Sequence, residues 1–514
     1  MWRVIILIAV SVAGVTTKSC VKRRSESTGD EDGHYCVCNA TYCDTTPHVF
    51  KPRNLERYFL ITSNKDGLRF HVSSNIFRNF TPNDFSSGKI SVNRRQRYQD
   101  IIGFGGALTD SASFNIFSLS KHANNNLMKS YFGPGGIEYS MIRMPMACSD
   151  FSWRPYSYLM DNDTSLSNFS LTREDNFYKI PIVKKALRMR NGKIKLLTLP
   201  WSPSSWMKTD NTTLNENSLR PEYRRVWADY FVKYLEAYQN NSIEFWALSI
   251  QNEPASYLYT PFEIYGLRMT SKAQANFLVN YLSPALKKAG FGHIKILIGE
   301  EQRQFFPEWA EVIFQNQKAR NETYGIAVHW YYDHLYSPNI LDKTKELFPE
   351  KYILYTEACT GLLFHNYDKR VVLGSWLRGE RYAQNIIETT THFASSWIDW
   401  NIALDLTGGP NWQSNFVDSP IIVNASADEF YKQPMFYVLG HFSKYVPPGS
   451  VRISSTLARS EGIDSVAFFT PDNATVLVIL NRNEVNKKIL IEDFDKGTIK
   501  INVTAKSINT IKYW

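Results

Sequence analysis

Two glutamates close two short apolar runs, and their placement suggests what the chain can do chemically. The first run is Glu244-Phe-Trp-Ala-Leu-Ser-Ile-Gln-Asn-Glu253-Pro254, and the second is Lys351-Tyr-Ile-Leu-Tyr-Thr-Glu357-Ala358. Each reads as a buried strand of a parallel sheet that stops at a carboxylate. A charge at the end of a buried strand is costly unless it is paired or used. Two carboxyls brought to one rim of a barrel meet the requirement for cleaving a glycosidic bond: one protonates the leaving oxygen and the other attacks the anomeric carbon. In those roles Glu253 is the general acid/base and must arrive protonated, which burial and a negative partner favour. Glu357 is the nucleophile and must stay ionised, which Arg143 and the Tyr331 hydroxyl would support by charge and hydrogen bonding. Asn252, beside Glu253, could hold a sugar hydroxyl. Arg143, His329 and Asp399-Trp-Asn401 are expected to end other strands in the same way.

Those carboxyls need a scaffold, and the pattern along the chain supplies one. From about residue 98, strand-then-helix units recur. Eight candidate strands are 102–106, 139–145, 194–200, 245–250, 294–299, 325–330, 352–357 and 396–401, with helix-like stretches such as Tyr223 to Gln239 and Ser271 to Ala289 between them. Eight such units predict an α/β fold, a (β/α)8 TIM barrel with its chemistry at the C-terminal strand ends. Residues 48–97 alternate polar and apolar, as in Gly67-Leu-Arg-Phe-His-Val, and strand patterns return after about 450. The expected division is a leader over 1–17, a disulfide-bearing N-terminal β segment over 18–47 joined by about 402–433, a β-sandwich-like domain from 48–97 and 450–514, and the catalytic barrel from 98–401 and 434–449.

At 514 residues the chain is too long for one compact core. Met1 to about Thr17 reads as a secretory signal peptide: Arg3, an apolar stretch from Val4 to Ala13, then small residues. Losing it takes the net charge from +9 to +8. The positive charges are spread out, so the chain lacks the basic stripe of a nucleic-acid binder and no nucleic-acid partner is expected; an anionic lipid surface suits the charge better. N-glycosylation sequons stand at Asn39, Asn162, Asn168, Asn211, Asn240, Asn321, Asn424, Asn473 and Asn502, and a further one at Asn79 is followed closely by Pro82. Cys20, Cys36, Cys38 and Cys43 crowd the N-terminus and suggest two disulfides, in any of three pairings; Cys148 and Cys359 stand apart. No cofactor or metal is expected, because no acidic cluster with ligand spacing occurs.

Several longer stretches carry a resemblance. Leu248-Ser-Ile-Gln-Asn-Glu-Pro254, Ile326-Ala-Val-His-Trp-Tyr331, Tyr355-Thr-Glu-Ala-Cys359, Gly408-Gly-Pro-Asn-Trp412, Asn415-Phe-Val-Asp-Ser-Pro-Ile-Ile422 and Gly440-His-Phe-Ser-Lys-Tyr445 resemble the glucosylceramidase branch of glycoside hydrolase family 30. The resemblance implies a retaining β-glucosidase of the lysosome, reached through the secretory pathway, with secretion as the alternative. It would hydrolyse glucosylceramide to glucose and ceramide by double displacement, aided by an anionic lysosomal membrane surface and a saposin-type activator protein. It implies Glu253 as acid/base and Glu357 as nucleophile. Asp150, Trp201, Asn252, Trp400 and Asn415 would bind the sugar hydroxyls, and Gln302, His329 and Tyr331 would line the site. It also implies the pairings Cys20–Cys36 and Cys38–Cys43. The chain departs from the family pattern in the charged segment from Cys20 to Tyr35, in the order Ala147-Cys-Ser-Asp150, and in the loop from Ala255 to Phe262. Another β-glucoside as substrate, or a binding module that has lost catalysis, are the competing expectations; the presence of both glutamates speaks against the second.

Overall fold

The computed structural model describes residues 17–26, 32–78, 88–209, 211, 218–258, 265–361, 370–458 and 461–514. All of the expected leader but Thr17, the Asn79 sequon and the second half of the 255–262 loop lie outside these residues. Eight parallel strands close into a barrel: β1 (Gly103–Ala107), β2 (Met141–Met146), β3 (Lys195–Pro200), β4 (Ala247–Ser249), β5 (Lys295–Gln302), β6 (Thr323–His329), β7 (Tyr352–Glu357) and β8 (Ala394–Asn401). Nearly every strand residue is buried, because the lumen lies on one side and helices on the other. Ile102, Met141, Leu197, Ala247, Leu297, Ala327, Leu354 and Ile398 pack as a cluster of their own, about one from each strand, and plug the lumen. Closing β1 against β2 requires Gly105, since a Cβ there would sit 2.0 Å from the Met141 carbonyl oxygen.

Two β units flank the barrel. A five-stranded sheet joins Lys22–Arg24 and His34–Asn39 to Leu404–Asp405, Ile421–Asn424 and Glu429–Lys432. Its N-terminal strands carry the disulfides Cys20–Cys36 and Cys38–Cys43, one of the three pairings open to the sequence. A nine-stranded sheet combines three strands from 57–100 with six from 451–513 and folds over a second core that includes Ile90, Ile453, Leu477, Ile489 and Ile511. No helix among the described residues is long and apolar enough to cross a membrane.

Three expectations need adjusting. Gly67–Phe70 is a turn, not part of a strand; the strand begins at His71, after Phe70 takes a positive φ of 48°. Arg143 sits in the middle of β2 rather than at its end, because both faces of that strand are buried and no alternation marks its length. Glu253 lies beyond β4, which stops at Ser249.

Candidate active site

Above the plug, side chains from five barrel strands and the segments that follow them form one ionic network. Arg143 is fully buried and reaches upward from β2. Its guanidinium donates to Glu357 Oε2 at 2.5 Å, to Glu300 Oε2 at 2.9 Å and to Asn252 Oδ1 at 2.8 Å. The indoles of Trp201 and Trp400, stacked 5.1 Å apart, lie 5.1 and 5.2 Å from the guanidinium carbon and shield it from water. Removing a cation from water in this way is tolerable only because its partners are charged too.

His329, the last residue of β6, bridges the glutamates. Its Nδ1 lies 2.8 Å from Glu253 Oε1 and its Nε2 lies 2.8 Å from Glu300 Oε2. With a glutamate oxygen at each nitrogen, the imidazolium form satisfies both as a donor. Burial opposes that charge, but Glu357, Glu253 and Glu300 outweigh it and lift the histidine to about 10. Glu300 is also desolvated, yet Arg143 and His329 more than compensate and hold it down at about 2. Ser249 and Thr356 hydroxyls complete its shell at 2.5 and 3.0 Å. Glu357 ends β7 and accepts a second bond, 2.6 Å, from the Tyr331 hydroxyl. Glu253 accepts 2.8 Å from the Gln302 amide and remains the most open carboxylate of the group, with 17% of its side chain exposed against 6% for Glu357.

One oxygen each of Glu253 and Glu357 and a nitrogen of His329 lie within 4.8 Å of one another. The same three atoms would be the ligands of any cation bound here, in competition with the proton on His329. Two of the glutamates stand on unusual backbone: Glu253 at φ 39° and Glu300 at φ 59°, with the Glu253 amide donating 3.0 Å to the Glu300 carbonyl. Non-glycine residues in the left-handed region cost energy and persist where surroundings over-determine them.

Beside this network Asp150 accepts from Asn415 at 3.1 Å and from Asn411 at 3.4 Å. Burial first, and then the Glu357 charge, push its carboxyl up to about 7 against those amides. The structure thus brings together Arg143, Asp150, Trp201, Asn252, Glu253, Gln302, His329, Tyr331, Glu357, Trp400 and Asn415, whereas Asp399 and Asn401 accept from Tyr382 and Thr109 instead. Sequence reasoning missed Glu300 and Asn411. The expected fifth strand was ended at Gly299, whereas β5 runs on to Gln302 through a register shift. The rule applied to Glu357, a carboxylate closing an apolar run, would have found Glu300.

Nine described sequon asparagines sit on the surface, seven exposed and two (Asn39 and Asn424) half-buried. Cys148 and Cys359 are unpaired and buried. Burial pushes the Cys148 thiol up to about 12 and raises Cys359 well above its ordinary value, which leaves both as inert packing groups.

Compared with known proteins, residues 101–446 match the "Glycosyl hydrolase family 30 TIM-barrel domain" and residues 449–511 the "Glycosyl hydrolase family 30 beta sandwich domain". The chain is 40% identical over 482 residues to lysosomal acid glucosylceramidase of Mus musculus, covering 92% of each. Among solved structures it resembles SrfJ from Salmonella typhimurium, with a TM-score of 0.82, 29% identity, and coverage of 89% of this chain and 99% of that one. It also resembles the endo-β1,6-glucanase BT3312, with a TM-score of 0.77, 26% identity, and coverage of 89% and 98%.

Proposed function

The chain belongs to glycosyl hydrolase family 30 and is a glycoside hydrolase, and from that premise we propose that it is a retaining β-glucosidase acting on glucosylceramide. The observation that carries the mechanism is the approach of the Glu253 and Glu357 oxygens to within 4.8 Å. Retaining pairs stand roughly 5–5.5 Å apart, while inverting pairs need roughly 6.5–9.5 Å to admit a water between them.

In the first step Glu253 gives its proton to the glycosidic oxygen as Glu357 attacks the anomeric carbon; ceramide leaves and a glucosyl ester forms on Glu357. In the second step Glu253 takes a proton from water, which attacks the same carbon and frees Glu357. Charge counting favours this cycle. Glu253, Glu300 and Glu357 against Arg143 and His329 leave one excess negative charge, which the proton on Glu253 cancels. In the glucosyl-enzyme Glu357 is an ester and Glu253 is ionised, so the buried cluster is neutral again. A water-poor site favours an arrangement that never holds unbalanced charge. Asp150, Asn252, Asn411, Asn415, Trp201 and Trp400 are the groups that would hold the sugar, and Glu300 acts through His329 and Arg143.

The substrate reading rests on the likeness to a glucosylceramidase. With it come lysosomal residence after secretory transit, N-glycans on the nine surface sequons, and work at an anionic membrane with a saposin-type activator. The domain map expected from the sequence is part of the same reading, and the membership of the three sheets supports it. Glucose release from glucosylceramide in anionic vesicles, run beside a soluble aryl β-glucoside and β-1,6-glucan, tests it. Turnover of the lipid at a rate far above the glucan is expected. Turnover of the glucan or aryl glucoside without the lipid would overturn the substrate and keep the chemistry.

A further inference from the structure

At the other end of the barrel, where β2 and β3 begin, the barrel meets the nine-stranded sheet and leaves a cleft of about 670 Å³. Six cations line it: Lys51, Arg190, Lys193, Lys195, Lys444 and Lys512. Among the lining side chains only two carboxylates, Glu138 and Asp472, face them. Glu138 is shared between Arg190, at 2.6 Å, and Lys444, and Asp472 takes Lys512 at 3.1 Å. Lys51, Lys193 and Lys195 have no ion pair among the described residues, so the lining side chains carry a surplus of four positive charges, although the Lys195 ammonium is held by the Ile102 carbonyl at 3.2 Å and lies over Trp246.

Lys51 and Lys193 are exposed, but two of the paired cations are fixed in the wall. The Lys444 side chain is 3% exposed and is held by the Pro134 carbonyl as well as by Glu138; the Lys512 side chain is 10% exposed. Like charges brought together at partial burial repel more strongly than in bulk water, and an anion seated among them removes that cost. The walls also offer apolar surface: Phe50, 68% exposed, with Pro447, Pro448 and Trp514. The volume falls in the range of small-molecule sites, roughly 300–1,000 Å³, and exceeds what a bare ion needs.

We propose that this cleft binds a phosphate ester, with the phosphate among Lys51, Lys193 and the Arg190–Glu138–Lys444 bridge and the organic part against Phe50 and Trp514. A phosphate monoester presents several strong acceptor oxygens and up to two charges, which suits converging ammonium and guanidinium donors. Because the cleft opens at the N-terminal strand ends, its occupant touches none of the residues around Glu253 and Glu357. A lipid headgroup and a soluble phosphate ester share the chemistry.

Thermal melts of the full chain with increasing glycerol 3-phosphate, at constant ionic strength, test the site. A saturable rise of roughly 2–5 °C is expected in the wild type. The double variant Lys51→Gln/Lys193→Gln, both exposed and unpaired, should fold and hydrolyse an aryl β-glucoside normally, yet need at least about tenfold more ligand for the same rise. Lys318→Gln/Lys488→Gln carries the same charge change elsewhere and should behave as wild type. Co-sedimentation with phosphatidylcholine vesicles, with and without phosphatidic acid, then separates the sources. Vesicle capture lost only in the cleft variant identifies a headgroup; capture equal in all three proteins, beside the soluble response, identifies a free ester. An absent or non-saturating rise, or an equal rise in all three proteins, as expected of general anion exclusion, would overturn the proposal.

Discussion

Two of the buried charge clusters among the described residues are built differently. Beside the barrel, Lys179 lies 3.1 Å from Asp110 and 3.0 Å from Asp175, all at 2% exposure or less. Hydroxyls close the cluster: Tyr158 and Tyr238 donate to Asp175 at 2.8 and 2.7 Å, and Ser152 and Tyr156 donate to Asp110 at 2.6 and 2.8 Å. At the barrel mouth three carboxylates face two cations, and one of the carboxylates, Glu253, is left partly open. Both clusters have one more acid than base. The first resolves the imbalance with neutral donors and is sealed; the second is open to solvent at the group that would carry the proton. Buried charge by itself therefore marks structure as readily as chemistry, and the unsealed member marks the site.

Substitutions should separate the two clusters. Glu357→Gln is expected to lower kcat by about 10⁴-fold or more with the melting temperature nearly unchanged, since an amide can keep the bonds from Tyr331 and part of those from Arg143. Glu253→Gln should cost about 10²–10⁴-fold on glucosylceramide but far less on an aryl glucoside whose leaving group needs no proton. An equal loss on both substrates would count against Glu253 as the acid. Lys179→Met should do the reverse, costing about 3–5 kcal/mol of stability in chemical denaturation while kcat per folded molecule stays the same, because two facing carboxylates lose their cation.

Glu300→Gln belongs to the mouth and should lower kcat by about 10²-fold, with KM little changed. Its informative readout is the pH profile. Without the Glu300 charge His329 loses protons at lower pH, so the alkaline limb should move toward acid, and Glu300→Asp should restore it in part. A uniform loss at all pH values would reduce Glu300 to a packing residue.

The smallest effect is on stability. His329 is raised from 6.5 to about 10, so its contribution is complete below pH 6.5 and fades as pH climbs toward 10. Glu300 is lowered from 4.5 to about 2, so its contribution is complete above 4.5 and fades toward 2. Asp150 is raised from 3.8 to about 7, and what it contributes below 3.8 is lost as pH passes through 7. Thermal melts should peak on the acid side, near pH 4.5–5.5, and decline by pH 8; a plateau extending to pH 8 would contradict these directions.

Much of this was legible in the sequence, for identifiable reasons. Strands of a parallel barrel are buried on both faces, so each of the eight appears as an apolar run, and the two that end on Glu357 and His329 show where chemistry begins. The same double burial hid the position of Arg143, since an unbroken run has no inner register to count. Glu300 was hidden by Gly299, whose φ of 88° looks like an end in sequence but is an irregularity inside β5. The Lys179 cluster and the basic cleft were only partly local: Asp175 and Lys179 share one helical turn and Arg190, Lys193 and Lys195 one short stretch, but Asp110, Glu138, Lys444 and Lys512 join them only in the folded chain.

The central claim is that Glu253 and Glu357 act as a retaining pair, and the anomeric outcome tests it most directly. Proton NMR during the first minutes of hydrolysis of an aryl β-glucoside, before mutarotation, reads the configuration of the glucose as released. β-Glucose appearing first, with the α signal growing in only later, is the predicted result. α-Glucose appearing first would contradict the double displacement and the roles assigned to both glutamates.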